Sequence, residues 1–199
     1  MPELEPVFIG IAGASRSGKS TLARELSSVW GDQVNWLNFD NYIKPIPEEE
    51  WPLIKDWEDA SLYDTDRLAE DLSKLSEGKS IEYHKRSWES IAANSQTSVL
   101  LAPSKYVLVE GFLLFSNPEL RNKFDHKFFI DVSEQLMIER RLASGALGSP
   151  LCDMEYINGV LIPSYRRDVL PQKQYSDIIL DGSTPTSRLV TQVLERVGV

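Results

Sequence analysis

A glycine-rich stretch near the start of the chain has residue types and spacing suited to holding phosphate. Gly13, Gly18, Lys19 and Ser20 match the pattern G-x-x-x-x-G-K-[ST]. In this pattern backbone N–H groups at a helix start surround the phosphates, the lysine reaches the outer phosphates, and the serine hydroxyl ligates Mg²⁺. The stretch predicts an ATP-type nucleotide site whose contributing residues are Gly13, Ser15, Arg16, Ser17, Gly18, Lys19, Ser20 and Thr21.

Two acidic residues follow apolar runs and suit the chemistry of phosphoryl transfer. Glu110 ends the run "VLVEG", where a buried carboxylate is costly unless it meets a cation, so we predict that it assists Ser20 in holding Mg²⁺. Asp40 ends "VNWLNFD" and should reach the same sheet edge as the phosphate loop. A carboxylate there can accept the proton of an attacking hydroxyl. The alternatives that Asp40 caps the turn before Tyr42, or assists only the metal, remain open.

The order of the surrounding segments predicts an α/β protein. Short apolar runs predict strands at 6–13, 34–40, 106–111, 127–132 and 176–183. Apolar residues at helical spacing predict helices at 19–30, 65–75, 133–145 and 186–197. Strands alternating with helices predict a mostly parallel sheet covered on both faces. Two short strands, at 79–88 and 97–103, are expected to form a hairpin outside this sheet.

Composition narrows the classes of function. The net charge of −9 argues against a general nucleic-acid binder, which needs a basic surface. The lone Cys152 cannot form an internal disulfide and is typical of a reducing compartment. No apolar run approaches the length of a membrane span, and the first residues do not resemble a signal peptide. We therefore expect a cytoplasmic protein without a nucleic-acid or membrane partner, and leave a homo-oligomer open.

Six segments carry a resemblance to a known family: "GASRSGKSTLA", "NFDNYIK", "WEDASLYD", "VLVEGFLLF", "FIDVSEQLMIERR" and "YSDIILDG". Together they resemble the uridine kinase family of P-loop nucleoside kinases, which includes the closely related nicotinamide riboside kinases. The resemblance implies a three-layer α/β/α P-loop NTPase fold, use of ATP and Mg²⁺, and phosphorylation of a ribose 5′-hydroxyl. It implies one kinase domain over residues 1–199, with a β-hairpin insertion near 78–103 and a helical lid near 140–165.

The resemblance also implies roles for individual residues. Asp40 matches the general base, and Lys19 matches the lysine that stabilises the transferred phosphate. Arg141 of "IERR" matches an arginine that contacts the ribose or phosphate, and Arg140 matches a lid arginine near ATP. As an alternative, the two arginines form an ordinary solvated helix end.

The sequence departs from the family pattern around the acceptor. Glu58 stands where the family usually has an aspartate that binds the ribose hydroxyls. In the hairpin, Tyr83 fits the family, His84 replaces an aspartate, and Trp88 falls near the position of a base-reading histidine. Tyr83 and Trp88 are expected either to contact the nucleobase or to cover the hairpin. The hairpin favours the uridine kinase branch.

The lid region departs as well, because residues 142–161 contain no lysine or arginine. Arg166, Arg167 and Lys173 are candidates to replace the missing charges. The sequence thus predicts an ATP- and Mg²⁺-dependent kinase of a small nucleoside or riboside. Nicotinamide riboside or another small alcohol is the alternative acceptor, and an ATP-binding regulator without efficient transfer is the alternative of another class.

Overall fold

The computed structural model describes residues 5–85, 97–144 and 152–198. Its main sheet has five parallel strands in the order β2-β5-β1-β6-β7. These strands are β1 (Val7–Gly13), β2 (Val34–Asn38), β5 (Tyr106–Gly111), β6 (His126–Asp131) and β7 (Ile178–Asp181). A separate antiparallel hairpin contains β3 (Ile81–Lys85) and β4 (Thr97–Leu101). The predicted parallel sheet and separate hairpin are both confirmed.

In the chain, helices follow or connect the strands of the main sheet. They are α1 (Lys19–Trp30), α2 (Thr65–Ser76), α3 (Pro118–Arg121), α4 (Glu134–Ser144), α5 (Met154–Tyr156), α6 (Ile162–Ser164) and α7 (Thr186–Val197). Short 3₁₀ helices occur at Gly31–Gln33, Phe39–Tyr42, Glu48–Leu53 and Ala60–Leu62. Across 5–85, 97–144 and 152–198, no helix is long and apolar enough to cross a membrane.

Alternating side chains of the sheet fill two cores, one on each face. In β1, Ile9 and Ile11 pack with α1 and α7, whereas Phe8 and Ala12 belong to the core that contains α2 and α4. Strand β5 is buried at every position because it lies between β2 and β1. Burial on both faces explains its continuous apolar sequence. The protein therefore has the predicted three-layer α/β/α fold.

Residues 154–175 form helical structure that continues through residues that usually end a helix. From 154 to 175, which we call the helical segment, α5 and α6 alternate with π-helical turns at Ile157–Leu161 and Tyr165–Val169, before a 3₁₀ turn at Leu170–Tyr175. The π-turns bracket Pro163, which lies in the first turn of α6. Residues Ile157, Leu161, Tyr165 and Val169 are buried, so one side of the segment joins the core. The helical segment overlaps the predicted lid region 140–165 and ends at residue 175, beyond that region. That this region forms a lid stays a prediction.

Candidate active site

The loop between β1 and α1 leaves backbone N–H groups open at a helix start. Gly18 precedes α1 with φ 108°, a left-handed conformation that glycine adopts at little cost. It provides no side-chain cap, and the first turn of α1 contains no acidic residue. These N–H groups are available to an anion, which the helix dipole also favours.

Two side chains of the loop fit a phosphate ligand. Lys19 is only 8% exposed, and its Nζ donates a 2.7 Å hydrogen bond to the carbonyl of Ala14 across the loop. The buried Ser17 hydroxyl has no hydrogen-bond partner in the described part of the chain, which is unusual for a buried polar atom. Of the other predicted loop residues, Arg16 and Thr21 are exposed and Ser15 is half-buried. The loop therefore combines a held positive charge, an unsatisfied hydroxyl and an uncapped helix start.

Ser20 and Glu110 meet beside this loop. The Ser20 hydroxyl donates a 2.9 Å hydrogen bond to Oε1 of Glu110, which lies in β5 between Ile11 of β1 and Asn38 of β2. Mg²⁺ prefers oxygen ligands and usually takes one or two from the protein, with the remainder from phosphates and water. These two oxygens fit such a site. Within the described ranges, no cluster of three or more His, Cys, Asp or Glu could hold a metal by itself.

The environment of Glu110 favours the presence of a cation. Its side chain is buried, and this burial raises its pKa to about 7, against an ordinary value of 4.5. The positive charge of Lys19 and the Ser20 hydrogen bond oppose the rise, whereas the negative charge of Asp40 adds to it. A divalent cation at this carboxylate would compensate the desolvation that now favours the neutral acid.

Asp40 lies in a short 3₁₀ turn rather than in a strand. We predicted that the second strand runs to residue 40, but β2 ends at Asn38, whose side chain caps the turn by accepting a 2.7 Å hydrogen bond from the N–H of Asp40. The Asn38 side chain, and not Asp40, is therefore the cap of this turn. The turn packs closely against β5 because residue 111 is a glycine. A Cβ at Gly111 would lie 2.3 Å from Cβ of Phe39.

The electrostatics around Asp40 suit a proton acceptor. Asp40 is exposed by surface area. Desolvation of its carboxyl by the nearby protein nevertheless raises the pKa of this group. The positive charges of Lys19 and Arg16 oppose this rise and favour the ionised form. In its ionised form, a carboxylate with a raised pKa is a stronger proton acceptor than an ordinary aspartate.

Tyr83 of the hairpin supports the turn that contains Asp40. Its hydroxyl accepts hydrogen bonds from the N–H of Asn38, at 2.8 Å, and from the side-chain amide of Asn41, at 2.6 Å. The side chain is buried, with 4% of its surface exposed. Its packing thus agrees with the alternative in which Tyr83 covers the hairpin, and its contact with a nucleobase stays a prediction. Trp88 lies outside the described residues.

Glu58 lies within electrostatic reach of the predicted catalytic groups. Burial raises the pKa of its carboxyl to about 7, while the positive charges of Arg141 and Lys19 lower it. The negative charge of Asp40 also raises it. The structure therefore brings the candidate acceptor carboxylate, the candidate base and the phosphate-loop lysine into one site, although they come from three separate parts of the sequence.

Arg141 joins this site from α4. Its Nη1 donates a 2.8 Å hydrogen bond to the Ser15 hydroxyl of the phosphate loop, and its guanidinium carbon lies 5.9 Å from the ring centre of Tyr156. The buried Tyr156 hydroxyl has no hydrogen-bond partner among residues 5–85, 97–144 and 152–198. Burial, followed by the negative charge of Glu58, raises the pKa of Tyr156 to about 12. Arg141 thus contacts both the phosphate loop and Tyr156 of the helical segment.

Arg140 points its guanidinium at backbone carbonyls. It donates to the carbonyls of Arg16, Ser17 and Gly182, at 3.4, 3.2 and 2.8 Å. These bonds join the phosphate loop to the turn after β7. The predicted contact of Arg140 with ATP stays a prediction, and the observed contacts are with the loop that would hold the phosphates.

The three basic residues considered as replacements for lid charges pair with acidic residues. Arg166 forms a two-pronged ion pair with Glu134, with both N–O distances 2.7 Å. Arg167 pairs with Asp168 at 2.6 Å, and Lys173 pairs with Asp131. Their charges are therefore partly neutralised in this structure, which does not favour their predicted role at the phosphates.

Sequence reasoning missed two residues of the site. Asp56 accepts a 2.9 Å hydrogen bond from the N–H of Glu58, and Tyr156 reaches Arg141 from the helical segment. An aspartate two residues before the acceptor carboxylate is a local signal of such a turn, so Asp56 could have been found. No local pattern around Tyr156 indicates that it meets Arg141.

Comparison with known proteins places these features in a family. The profile of the Phosphoribulokinase / Uridine kinase family matches residues 8–188. A uridine kinase of Chlamydia pneumoniae is 32% identical over 199 residues, covering 96% of this chain and 87% of the relative.

Solved structures agree on the fold. A structure of a possible uridine kinase from Bacillus stearothermophilus superposes with a TM-score of 0.62 at 18% identity, covering 91% of each chain. A proposed fructose transport system kinase from Silicibacter sp. TM1040 has a TM-score of 0.60 at 15% identity, covering 89% of this chain and 91% of that one. At these identities the two structures support the architecture, and not a choice of substrate.

Proposed function

The chain belongs to the phosphoribulokinase and uridine kinase family, and we propose that it transfers the γ-phosphoryl group of ATP to the ribose 5′-hydroxyl of a small nucleoside or riboside. The observation that carries this proposal is the set of hydrogen bonds around the phosphate loop, where Ser20 donates to Glu110 and Arg141 donates to Ser15. The charges of Lys19, Asp40 and Arg141 also act on the carboxyl of Glu58. A phosphate-loop lysine, a base and two acceptor-side groups within one site are what hydroxyl phosphorylation requires.

In the proposed reaction, the acceptor oxygen forms a bond to the γ-phosphorus while the bond from that phosphorus to the β,γ-bridging oxygen breaks. Asp40 accepts the proton of the hydroxyl, and ADP leaves with the electron pair of the broken bond. Lys19 and the N–H groups at the start of α1 stabilise negative charge on the phosphates. Glu58 and Arg141 orient the acceptor, since a carboxylate can accept two hydroxyl hydrogen bonds.

Ser20 and Glu110 are the residues that would hold Mg²⁺, because their oxygens lie 2.9 Å apart beside the loop. Bound there, the ion would neutralise charge on the phosphate oxygens. The chain as a whole has a net charge of −9, so a local set of positive groups must hold ATP. We assign this role to Lys19 and Arg16, assisted by Arg141.

A substrate panel tests the proposal. The protein is incubated with Mg-ATP and with uridine, cytidine, nicotinamide riboside or pantothenate, and ADP release is followed. We expect release that depends on one or more of the three ribosides, with the Asp40→Asn variant as the control for contaminating kinases. Turnover with nicotinamide riboside alone would select the alternative riboside branch. Turnover with pantothenate alone would overturn the substrate class.

One observation favours a second candidate, an ATP-binding regulator without efficient transfer. Arg166, Arg167 and Lys173 are paired with acidic residues, so they add little charge stabilisation near the lid. ATP binding without acceptor-dependent ADP release across the panel would favour this candidate. The convergence of Asp40, Glu58 and Arg141 argues for transfer.

A further inference from the structure

Asp56 connects the acceptor side of the site to the helical segment. Its Oδ2 accepts a 2.7 Å hydrogen bond from the Ser164 hydroxyl, although the two residues are 108 positions apart in the chain. The Nη2 atom of Arg167 lies 3.6 Å from the same oxygen. Ser164 is 2% exposed, so this contact is made at a buried position of the segment. We call Asp56, Ser164 and Arg167 the junction.

The other oxygen of Asp56 holds the backbone of Glu58. Oδ1 accepts a 2.9 Å hydrogen bond from the Glu58 N–H, so the two oxygens of one short side chain bond to two different elements. A carboxylate has enough acceptor sites to make both bonds at once. A displacement of Ser164 would therefore act through Asp56 on the backbone of Glu58.

The beginning of the helical segment reaches the same site independently of the junction. Tyr156 lies over the guanidinium of Arg141, and its hydroxyl is buried near the charge of Glu58. The helical segment therefore contacts the candidate site at two points, through Ser164 at Asp56 and through Tyr156 at Arg141.

We infer that Asp56 is a positioning residue, which orients Glu58 according to the seating of the helical segment on the junction and so couples that segment to acceptor binding. The kinetic part of this inference rests on the proposed function. Asp56 would not contact ATP or the reacting atoms. Its removal should therefore weaken acceptor binding and leave ATP binding nearly unchanged.

Substitutions separate positioning from charge. Asp56→Ala removes both hydrogen bonds, whereas Asp56→Asn keeps an oxygen for the Glu58 N–H and offers an amide to the Ser164 hydroxyl. Ser164→Ala removes only the hydrogen bond from the helical segment and leaves Arg167 beside Asp56. Asp59→Ala is the matched control, because Asp59 makes the same type of turn bond, at 2.8 Å to the Ser61 N–H, and no hydrogen bond to the helical segment.

Kinetics give the first readout. We expect Asp56→Ala to raise the acceptor KM about tenfold, the order expected when the hydrogen bond that holds the Glu58 backbone is lost, with the ATP KM changed less than about twofold. Ser164→Ala should raise the acceptor KM by a smaller factor, and Asp56→Asn and Asp59→Ala should stay close to the unsubstituted protein. Equal changes in both KM values, or an Asn variant as impaired as the Ala variant, would overturn the inference.

Hydrogen exchange gives a second readout that needs no activity. In the ligand-free protein, Ser164→Ala should accelerate amide exchange in residues 54–59, and Asp56→Ala should accelerate it in residues 160–168. If each substitution affects only its own segment, the coupling is absent and the inference fails. If the exchange is coupled but no acceptor in the panel is phosphorylated, the positioning contact stands and the proposed function fails.

Discussion

The Ser20 hydroxyl donates a 2.9 Å hydrogen bond to the Glu110 carboxylate, and the bond joins the start of α1 to the end of β5. The two residues are 90 positions apart in the chain. Ser20 lies in the first turn of α1, and Glu110 lies near the end of β5. Parallel strands bring such positions to one edge. We expect this pair to link the phosphate loop to the proposed Mg²⁺ site, which would make nucleotide binding sensitive to the protonation of Glu110.

Substituting Glu110 with glutamine should remove a pH dependence of nucleotide binding. Because burial raises the pKa of Glu110 to about 7, the carboxylate needed for Mg²⁺ becomes ionised only as the pH rises through that value. The affinity of the unsubstituted protein for ATP with Mg²⁺ should therefore increase from acidic pH to pH above 7. Glu110→Gln should bind more weakly above pH 7 and show a flat profile in titration calorimetry.

The same substitution should stabilise the ligand-free protein at high pH. In the unfolded chain this carboxyl ionises near 4.5, whereas in the fold it keeps its proton to about 7. The free energy of unfolding therefore falls between these values, and Glu110→Gln should avoid that loss, which is up to about 3 kcal/mol. Thermal unfolding measured across this range checks the sign, since a variant less stable than the original above pH 7 would contradict it.

Replacing Asp40 with asparagine should abolish proton acceptance while leaving the turn intact. The turn depends on the Asn38 side chain and the backbone N–H at position 40, and asparagine keeps that N–H. We expect kcat to fall by about 10² to 10⁴ with ATP binding retained, as for loss of a general base. The exposed Asp32→Asn is the control. Unchanged turnover would remove Asp40 as the base.

Removing the Tyr83 hydroxyl should impair catalysis rather than acceptor binding. Tyr83→Phe leaves the Asn38 N–H and the Asn41 amide without this acceptor, and both flank Asp40. We expect a fall in kcat of about tenfold with little change in the acceptor KM. Tyr175→Phe is the control, because the phenyl ring can keep its 3.8 Å contact with Arg121. A change confined to the acceptor KM would instead support a direct contact of Tyr83 with substrate.

Arg140 should act through the shape of its guanidinium as well as its charge. Arg140→Ala removes hydrogen bonds to three carbonyls, so we expect a higher ATP KM and a melting temperature lower by a few degrees. A lysine cannot span these carbonyls, so Arg140→Lys should restore little. Nearly complete recovery with lysine would indicate that charge on ATP matters more than bracing of the loop.

Local pattern determined much of this protein from the sequence. The bounds of α1, β5 and α7 agree with the predicted segments, because each has a regular apolar period and a clear beginning or end. The phosphate loop is likewise a local motif. Its chemistry depends on a few consecutive residues, of which Gly18, Lys19 and Ser20 lie together at the start of α1.

Local pattern did not predict the helical segment, although the family resemblance implied a helical lid near 140–165. Gly159, Pro163 and Pro171 interrupt its sequence, and such residues normally end a helix. Here π-turns accommodate the interruptions, and buried side chains such as Ile157 and Tyr165 stabilise the segment through the core. Tertiary packing thus overrides local propensity.

The sequence by itself determined the donor site and nominated Asp40, Glu58 and Arg141 on the acceptor side. Only the tertiary structure decided how these residues are held, because the contacts join distant parts of the chain. Tyr83 accepts a hydrogen bond from Asn38, the cap of the Asp40 turn, 45 residues away in the chain. Ser164 donates to Asp56, 108 residues away. Hydrogen bonds of this kind leave no periodic signal, since each depends on a single pair of side chains brought together when the sheet and its covering helices pack.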